Sequence, residues 1–242
     1  MIIPTRQERP DVLRATVEQA GAEADVCVIY DGERKQGLPC REIEMGTRNG
    51  PAQARHAGIT TSSADVIVLT DSHMTFKKGW ADAIAKAHKQ EGNLLTCCRM
   101  EALRRSGRSY GEPIQGGAQL WLDITHNTMS LPVAAIWNDP PRLRGKISCV
   151  MGACYGLRRE WYDAIGQPLA DLWGWGMEEE TLSIKTHLAG GMVNLLPQVV
   201  GHMFTDNPQP MNPEDKHLYC EQSRKLANLI HEDGIADRIA RR

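Results

Sequence analysis

Two short apolar runs, each followed at once by an acidic residue, place the strongest constraint on the fold of this chain. One run covers residues 26–30 and is followed by Asp31, and the other is Val66–Thr70, followed by Asp71. Runs with almost no polar residue are typical of strands that are covered on both faces. Because amphipathic stretches alternate with them, the pattern predicts an α/β fold with a mostly parallel, Rossmann-like central sheet flanked by helices.

The rest of the chain carries further strand and helix patterns. Asn212 before Pro213 predicts the start of a C-terminal helix. Residues 103–150 are rich in Arg, Gly and Pro, which favours loops and short edge strands. Strands are also expected at residues 1–4, 93–98, 149–157 and 193–200, and helices at 10–20, 79–89, 159–165 and from 177 to the glycine pair at 190–191.

Composition narrows the class of protein. The chain has 242 residues and a formal net charge of −2, so no overall excess of positive charge indicates a nucleic-acid or membrane-surface protein. No apolar run approaches the length of a membrane span, and the first residues lack the basic flank and apolar stretch of a secretory signal. We therefore expect a cytoplasmic protein that does not contact membranes.

The seven cysteines are scattered and form no C-x-x-C pair, which argues against zinc or redox chemistry. Reduced thiols are the expectation for a cytoplasmic protein. Cys97 and Cys98 are adjacent in a predicted strand, so their side chains should point to opposite faces and pack as small hydrophobic groups.

The triplet Asp71-Ser72-His73 directly follows an apolar strand, where sheets of this type bind ligands. One intervening residue lets the two side chains leave the strand end in similar directions. That geometry can chelate a divalent cation that bridges a diphosphate. Taken alone, the triplet is more typical of a turn in which Asp71 caps the backbone and His73 is an ordinary polar residue.

Further motifs accompany the triplet in a fixed order. They are Ile2-Ile3-Pro4-Thr5 with Glu8, residues 28–32, 54–58 and 64–73 in the first half, and residues 151–157, 173–180 and 200–204 in the second. With these motifs the sequence resembles the polypeptide N-acetylgalactosaminyltransferases and related family-2-like sugar transferases over most of its length. Residues 173–178, Trp-Gly-Trp-Gly-Met-Glu, resemble that family's Trp-Gly-Gly-Glu motif.

The resemblance implies a GT-A fold and a metal-dependent glycosyltransferase that uses a nucleoside-diphosphate sugar, with UDP as the expected nucleotide. It implies that Asp71, His73 and the distant His202 hold Mn²⁺, with Mg²⁺ as an alternative. A lone histidine such as His202 is more often a core or turn residue, and only its partner motif changes that interpretation. The residues expected to contact the donor are Thr5, Asp31, Arg55, Asp71 and Trp175.

Glu178 and Glu179 are the candidate catalytic residues. If the reaction inverts the sugar configuration, Glu179 is the first candidate for the base that takes the acceptor proton, and Glu178 binds a sugar hydroxyl. If the reaction retains the configuration, both would position the sugar. Glu179 stands where retaining family members have Asn and inverting GT-A enzymes have Asp, and Met177 replaces a Gly, so the stereochemistry stays open.

Four features have two interpretations each. Glu178–Glu180 also suit a helix N-terminus, where acids are favoured whatever their chemistry. Trp173 and Trp175 are either core aromatic residues or a face for a pyranose ring. Residues 104–108 form either a solvated basic loop or an acceptor- or phosphate-binding element. Residues 205–213 are either an inert connector or a lid over the donor.

We expect one GT-A domain over residues 1–242. Residues 1–100 would form the nucleotide-sugar half, 101–204 the acceptor half, and 205–242 the lid loop and C-terminal helix. The acceptor could be a peptide, a saccharide or a hydroxymethylated nucleobase in DNA. Two alternative functions stay open. One is a nucleotidyltransferase, although such enzymes usually have a Gly-rich loop after the first strand and residues 5–9 are not Gly-rich. The other is a non-catalytic nucleotide-sugar-binding module.

Overall fold

The structure is a computed structural model that describes residues 1–104, 106, 108–111, 114–122, 132–204 and 211–232, with the backbone alone at 231 and 232. Its strands are β1 (Ile2–Thr5), β2 (Cys27–Asp31), β3 (Arg41–Met45), β4 (Val66–Thr70), β5 (Met74–Phe76), β6 (Leu94–Leu103), β7 (Ala118–Leu122), β8 (Val133–Trp137), β9 (Gly145–Lys146), β10 (Cys154–Arg158) and β11 (Met192–Met203). Its helices are α1 (Pro10–Gly21), α2 (Pro51–Thr60), α3 (Trp80–Gln90), α4 (Arg159–Ala164), α5 (Glu178–Leu188) and α6 (Pro213–Glu232).

One large mixed sheet forms the centre of the molecule, in the order β3-β2-β1-β4-β10-β6-β11-β5, with β9 paired to β11. The pairings among β3, β2, β1 and β4 are parallel, and so is that of β6 with β11. β10 lies antiparallel between β4 and β6. The predicted α/β fold with helices on a central sheet is confirmed, but the sheet is mixed where a mostly parallel one was predicted, because β5 and β9 also pair antiparallel with β11.

The helices cover both faces of this sheet. Leu13 of α1 and Trp80 of α3 pack on one face, and Ala54 of α2, Trp161 of α4 and Leu182 of α5 pack on the other. This double coverage explains why β2 and β4 are apolar along nearly their whole length. Cys97 and Cys98 are buried free thiols in the two opposite clusters, as the strand pattern predicted.

A separate antiparallel hairpin, β7–β8, lies over α5 and the C-terminal helix α6. A third apolar cluster joins these elements, with Val133, Met177, Ile184, Leu226 and Ile230 buried at its centre. Short strands were predicted in this region. The hairpin and α6 therefore form one wall against the N-terminus of α5.

The sheet brings distant parts of the chain to one edge. β4 ends at Thr70, directly before Asp71, and β5 begins just after His73. β5 then pairs antiparallel with β11, so that His202 lies opposite Met74. As a result, residues that are about 130 positions apart in sequence meet at the same strand ends.

Two predictions fall partly outside the described residues. The loop at 205–213 is described only from 211 onward, and the basic cluster only at Arg104, Ser106 and Arg108. Arg104 is exposed, and its guanidinium lies over the Tyr110 ring, 4.4 Å from the centroid. Within the described ranges, no helix is both long and apolar enough to cross a membrane.

Candidate active site

Asp71 is fixed at the end of β4 by a neighbouring loop. The Ala153 carbonyl oxygen accepts hydrogen bonds from the Thr70 hydroxyl at 2.7 Å and from the Asp71 backbone N–H at 3.1 Å. Ala153 has a φ of 147°, in the region that favours glycine, which allows its carbonyl to reach both donors. The carboxylate therefore starts from a rigid backbone position.

Asp71, His73 and His202 converge on one point, as the sequence predicted. The Nε2 atoms of the two histidines are 3.1 Å apart, and His202 Nε2 is 3.2 Å from Asp71 Oδ2. One ligand atom from each residue lies within 4.8 Å of the others. Ligand atoms that share one divalent ion at about 2.1 Å lie about 3 to 4 Å apart, so the spacing of the three side chains is suited to holding one such ion.

Glu8 holds His73 in the tautomer that such an ion requires. Glu8 Oε2 lies 2.7 Å from His73 Nδ1 and 3.2 Å from the Ser72 hydroxyl. Burial alone would raise the pKa of Glu8, but these hydrogen bonds bring it below its ordinary value, so the carboxylate is an acceptor. His73 Nδ1 is then the donor, so Nε2 is the ring atom that faces His202 and the ligand group.

The charge of Asp71 suits the same purpose. Burial opposes ionisation, yet the hydrogen bond with His202 and the positive charge of Arg55 hold the pKa of Asp71 well below its ordinary value. The group therefore offers an ionised carboxylate and two imidazoles. This mixed donor set suits Mn²⁺ and other borderline divalent cations.

Arg55 is a buried residue that contacts Asp71 of this group. Its Nη2 atom donates to Asp71 Oδ1 and its Nη1 atom to Glu178 Oε1, both at 2.7 Å, and only 4% of the side chain is exposed. The guanidinium lies 5.5 Å from the centroid of the Tyr155 ring. A direct contact of Arg55 with the donor stays a prediction.

The three acids at the start of α5 have different surroundings. Glu178 is buried against Arg55. Glu180 Oε1 accepts a hydrogen bond from the Ala135 N–H at 3.0 Å and so anchors β8, which is a structural role. Glu179 is partly exposed and faces Gly152; burial, and next the charge of Glu178, raise the pKa of Glu179 to about 8.

A cavity of about 360 Å³ joins these groups. Asp71 and His202 lie on its wall together with Glu178, Glu179 and Glu180. Aromatic side chains complete the lining: Trp137, Trp175, Phe204 and Tyr219. Carboxylates that are surrounded by flat apolar rings are suited to a polyhydroxylated ring, which offers both hydroxyls and apolar faces.

The two tryptophans of the acidic motif are both exposed, Trp173 by 49% and Trp175 by 54%. Their interpretation as core aromatic residues is therefore wrong. Trp175 lies on the cavity wall and its ring is 6.2 Å from that of Tyr219. A contact between Trp175 and the donor stays a prediction.

Met177 keeps the backbone conformation that a glycine would adopt at this position. Its φ is 71°, in the left-handed region, and it precedes the first turn of α5. The side chain is 1% exposed in the cluster shared with β8 and α6. The departure from the Gly pattern thus leaves the turn intact and adds a packing contact with the C-terminal helix.

Thr5 and Asp31 lie at neighbouring strand ends, outside the lining of this cavity. Asp31 accepts hydrogen bonds from the Asn49 and Gly50 N–H groups at 2.7 and 2.9 Å, and so fixes the loop that leads into α2. Thr5 is 3% exposed, and its hydroxyl has no partner among the described residues. Their contact with a nucleoside stays a prediction.

The sequence placed Glu8 in the first motif but predicted no contact with a metal ligand for it. The contact of Tyr155 with Arg55 and the hydrogen bond from Ala135 to Glu180 were not predicted either. The spacing of Glu8 after β1 was a usable signal for the first of these. The other two depend on how β10 and β8 pack, which no local pattern shows.

Comparison with known proteins agrees with this geometry. Residues 1–166 match the family model "Glycosyl transferase family 2". Polypeptide N-acetylgalactosaminyltransferase 8 of Drosophila melanogaster is 28% identical over 166 residues, which cover 66% of this chain and 27% of that protein. The chain thus spans about a quarter of that relative's length.

Two solved structures show the same fold. The crystal structure of GalNAc-T7 with UDP, GalNAc and Mn²⁺ has a TM-score of 0.69 and 19% identity, covering 84% of this chain and 43% of that chain. S. aureus TarS 1–349 in complex with UDP-GlcNAc has a TM-score of 0.57 and 13% identity, covering 97% and 66%. This fold is the GT-A fold of glycosyltransferases. From the family model, which matches well over half of its length, we conclude that the chain belongs to glycosyl transferase family 2.

Proposed function

We propose that this chain is a metal-dependent glycosyltransferase that moves a sugar from a UDP-sugar to a hydroxyl acceptor. The observation that carries the proposal is the convergence of Asp71, His73 and His202 beside a cavity lined by acids and aromatic rings. Family membership supports glycosyl transfer, and the UDP and Mn²⁺ of the GalNAc-T7 structure support the choice of donor and metal.

The main electrostatic demand of such a reaction is the negative charge that develops on the leaving diphosphate. A divalent ion at this group would supply Lewis-acid stabilisation of that charge. The Glu8 carboxylate accepts a hydrogen bond from Nδ1 of His73 and so orients the Nε2 atom toward His202, and the Ala153 carbonyl fixes the backbone of Asp71. These residues therefore prepare the ligands before a donor arrives.

On the acceptor side, Glu179 is the residue placed to move a proton. It lies on the cavity wall, and its pKa of about 8 lets it hold a proton near neutral pH and exchange it readily. Glu178 is tied to Arg55 and is less free to do so. We therefore assign the base to Glu179 in an inverting transfer, and a sugar-positioning role in a retaining one.

Trp175 would offer an apolar face to the transferred sugar or to the acceptor. The residue is 54% exposed, and it lies on the wall of the same cavity as Asp71 and His202. The acceptor stays one of three classes, namely a peptide hydroxyl, a saccharide or a hydroxymethylated nucleobase in DNA. A cytoplasmic location stays part of the proposal.

The experiment is a donor panel. The purified chain is incubated with UDP-, GDP-, CMP- and dTDP-sugars, with Mn²⁺ or with EDTA, and release of the nucleotide is measured with and without peptide, saccharide and hydroxymethylated DNA acceptors. We expect Mn²⁺-dependent release of UDP that increases with one acceptor class. Pyrophosphate release from a nucleoside triphosphate and a sugar phosphate would instead indicate a nucleotidyltransferase. Tight UDP-sugar binding without turnover would indicate a binding module.

A further inference from the structure

Arg55 connects the two halves of the site through a single side chain. It extends from α2 and contacts Asp71 at the end of β4 with one nitrogen and Glu178 at the start of α5 with the other, each at 2.7 Å. Arg55 and Glu178 are each only 4% exposed. Buried charges in such an arrangement are held by each other and not by solvent.

The two oxygens of Asp71 have separate partners. Oδ1 accepts from Arg55, whereas Oδ2 lies 3.2 Å from His202 Nε2. The guanidinium thus prevents rotation of the carboxylate and leaves one oxygen for the cation. A planar guanidinium suits this task, because its donors are fixed in a fork, whereas a lysine ammonium is a single mobile point charge.

Packing holds Arg55 itself in place. Its guanidinium lies against the Tyr155 ring, 5.5 Å from the centroid. α2 is pressed onto β1 where Gly58 meets Ile2; a Cβ on Gly58 would be 2.5 Å from an Ile2 methyl carbon. The helix therefore has little freedom to move away from the sheet and take Arg55 with it.

We infer that Arg55 is a positioning residue of the metal centre, which orients Asp71 for one-oxygen ligation and couples it to the acceptor-side helix through Glu178. This inference rests on the metal centre of the proposed function. Arg55 also lines the cavity, so this positioning role adds to the donor contact expected from the sequence.

The lysine variant separates geometry from charge. Arg55→Lys keeps a positive charge beside Asp71 and Glu178, but it replaces the fixed fork of donors by a single mobile ammonium. A loss of metal affinity in this variant therefore reports on geometry and not on charge.

The test is direct Mn²⁺ binding, followed by the electron paramagnetic resonance signal of free Mn²⁺, with wild type, Arg55→Gln and Arg55→Lys. Loss of a residue that orients a metal ligand typically weakens affinity by about 10- to 100-fold, and we expect a rise in Kd of this size in both variants. The matched control is Arg158→Gln, which breaks the Arg158–Glu160 pair away from the site and should leave Kd unchanged. Circular dichroism establishes that each variant is folded.

The outcomes separate this inference from the proposed function. Mn²⁺ binding with the wild-type Kd in folded Arg55 variants, even with a lower melting temperature, would show a purely structural role and overturn the inference. If Arg55→Gln does not fold, Arg55→Lys, which retains the buried charge, carries the same test. Absence of Mn²⁺ binding by the wild type would instead contradict the metal centre of the proposed function.

Discussion

Glu179 is the residue whose ionisation should set the pH dependence of transfer. Burial, and next the charge of Glu178, raise its pKa to about 8. A base must be deprotonated before it can accept a proton, so in an inverting enzyme kcat/KM should rise with pH through the region around pH 8 and level off above it. Binding of a divalent cation to the nearby ligands would move this rise to lower pH.

The Glu179→Gln variant removes the ionisation and keeps the shape of the side chain. A positioned general base contributes about 10²- to 10⁴-fold in rate, which corresponds to about 3 to 5 kcal/mol of transition-state stabilisation. We expect kcat to fall by this factor and the rise around pH 8 to disappear. Metal and donor affinity should stay close to the wild-type values.

The raised pKa of Glu179 should make folding stability fall as pH rises, whereas the transfer rate should increase. The folded carboxyl keeps its proton up to about pH 8, whereas the unfolded one loses it near the ordinary value of 4.5. The folded state therefore binds the extra proton in this window, and its contribution is complete below pH 4.5 and is lost as pH rises through 8. Glu179→Gln has no carboxyl to ionise, so its stability relative to wild type should increase as pH rises through this window.

The assay is a set of initial rates from about pH 6 to about pH 9.5 at saturating Mn²⁺ and donor, with urea unfolding at the two ends of the range. Glu160→Gln is the control, because Glu160 is an exposed acid that pairs with Arg158 away from the site, and it should keep the wild-type pH profile. A Glu179→Gln enzyme with wild-type kcat and an unchanged profile would refute the assignment of the base.

Three further predictions concern single side chains. Glu8→Gln should weaken Mn²⁺ binding by about 10- to 100-fold, because His73 loses its ionised acceptor; calorimetry that shows an unchanged Kd would contradict this. Met177→Gly should lower the free energy of unfolding by about 1 to 4 kcal/mol. The variant loses about 2 to 5 kcal/mol of packing and gains about 1 kcal/mol, because glycine adopts the left-handed φ without strain. Urea unfolding measures this difference, and a variant more stable than wild type would contradict the prediction. Trp175→Ala should raise KM with a change in folding stability within about 0.5 kcal/mol, because the residue is 54% exposed; wild-type KM for donor and acceptor would exclude a role in binding.

Much of the sheet could be predicted because its central strands are buried on both faces. Val66–Thr70 was predicted with the bounds the structure shows. The ends of β6 and β11 were less predictable, since both continue to Leu103 and Met203 through residues with mixed polarity. Their long parallel pairing stabilises this extension, which no short window of sequence indicates.

α2 was not predicted, and its packing explains why. It contacts the sheet through small residues such as Ala54 and Gly58, and its largest buried side chain is the charged Arg55. An apolar stripe at helical spacing is therefore missing, although the helix is closely packed. β5 was missed because it has only three residues, Met74–Phe76.

The metal-ligating group was predictable in two steps. Strand position and spacing bring Asp71 and His73 together, but His202 could be added only through the family resemblance, because its approach depends on the antiparallel pairing of β5 with β11. The contacts of Glu8 with His73 and of Arg55 with Glu178 join segments up to 123 residues apart in sequence. Such contacts follow from the tertiary fold and leave no local signal.

The central claim is that Asp71, His73 and His202 hold a divalent cation for a UDP-sugar. The most direct measurement is the melting temperature of wild type and Asp71→Asn with Mn²⁺, UDP-sugar, both or neither. At a ligand concentration about 100 times Kd, binding stabilises the folded state by about 2.7 kcal/mol, which raises the melting temperature of a chain of this size by about 5 to 10 °C. We predict the full rise in wild type when Mn²⁺ and donor are both present, a smaller rise with Mn²⁺ alone, and no rise in Asp71→Asn. Stabilisation by the donor that is equal with and without Mn²⁺, or equal in the two proteins, would contradict the account.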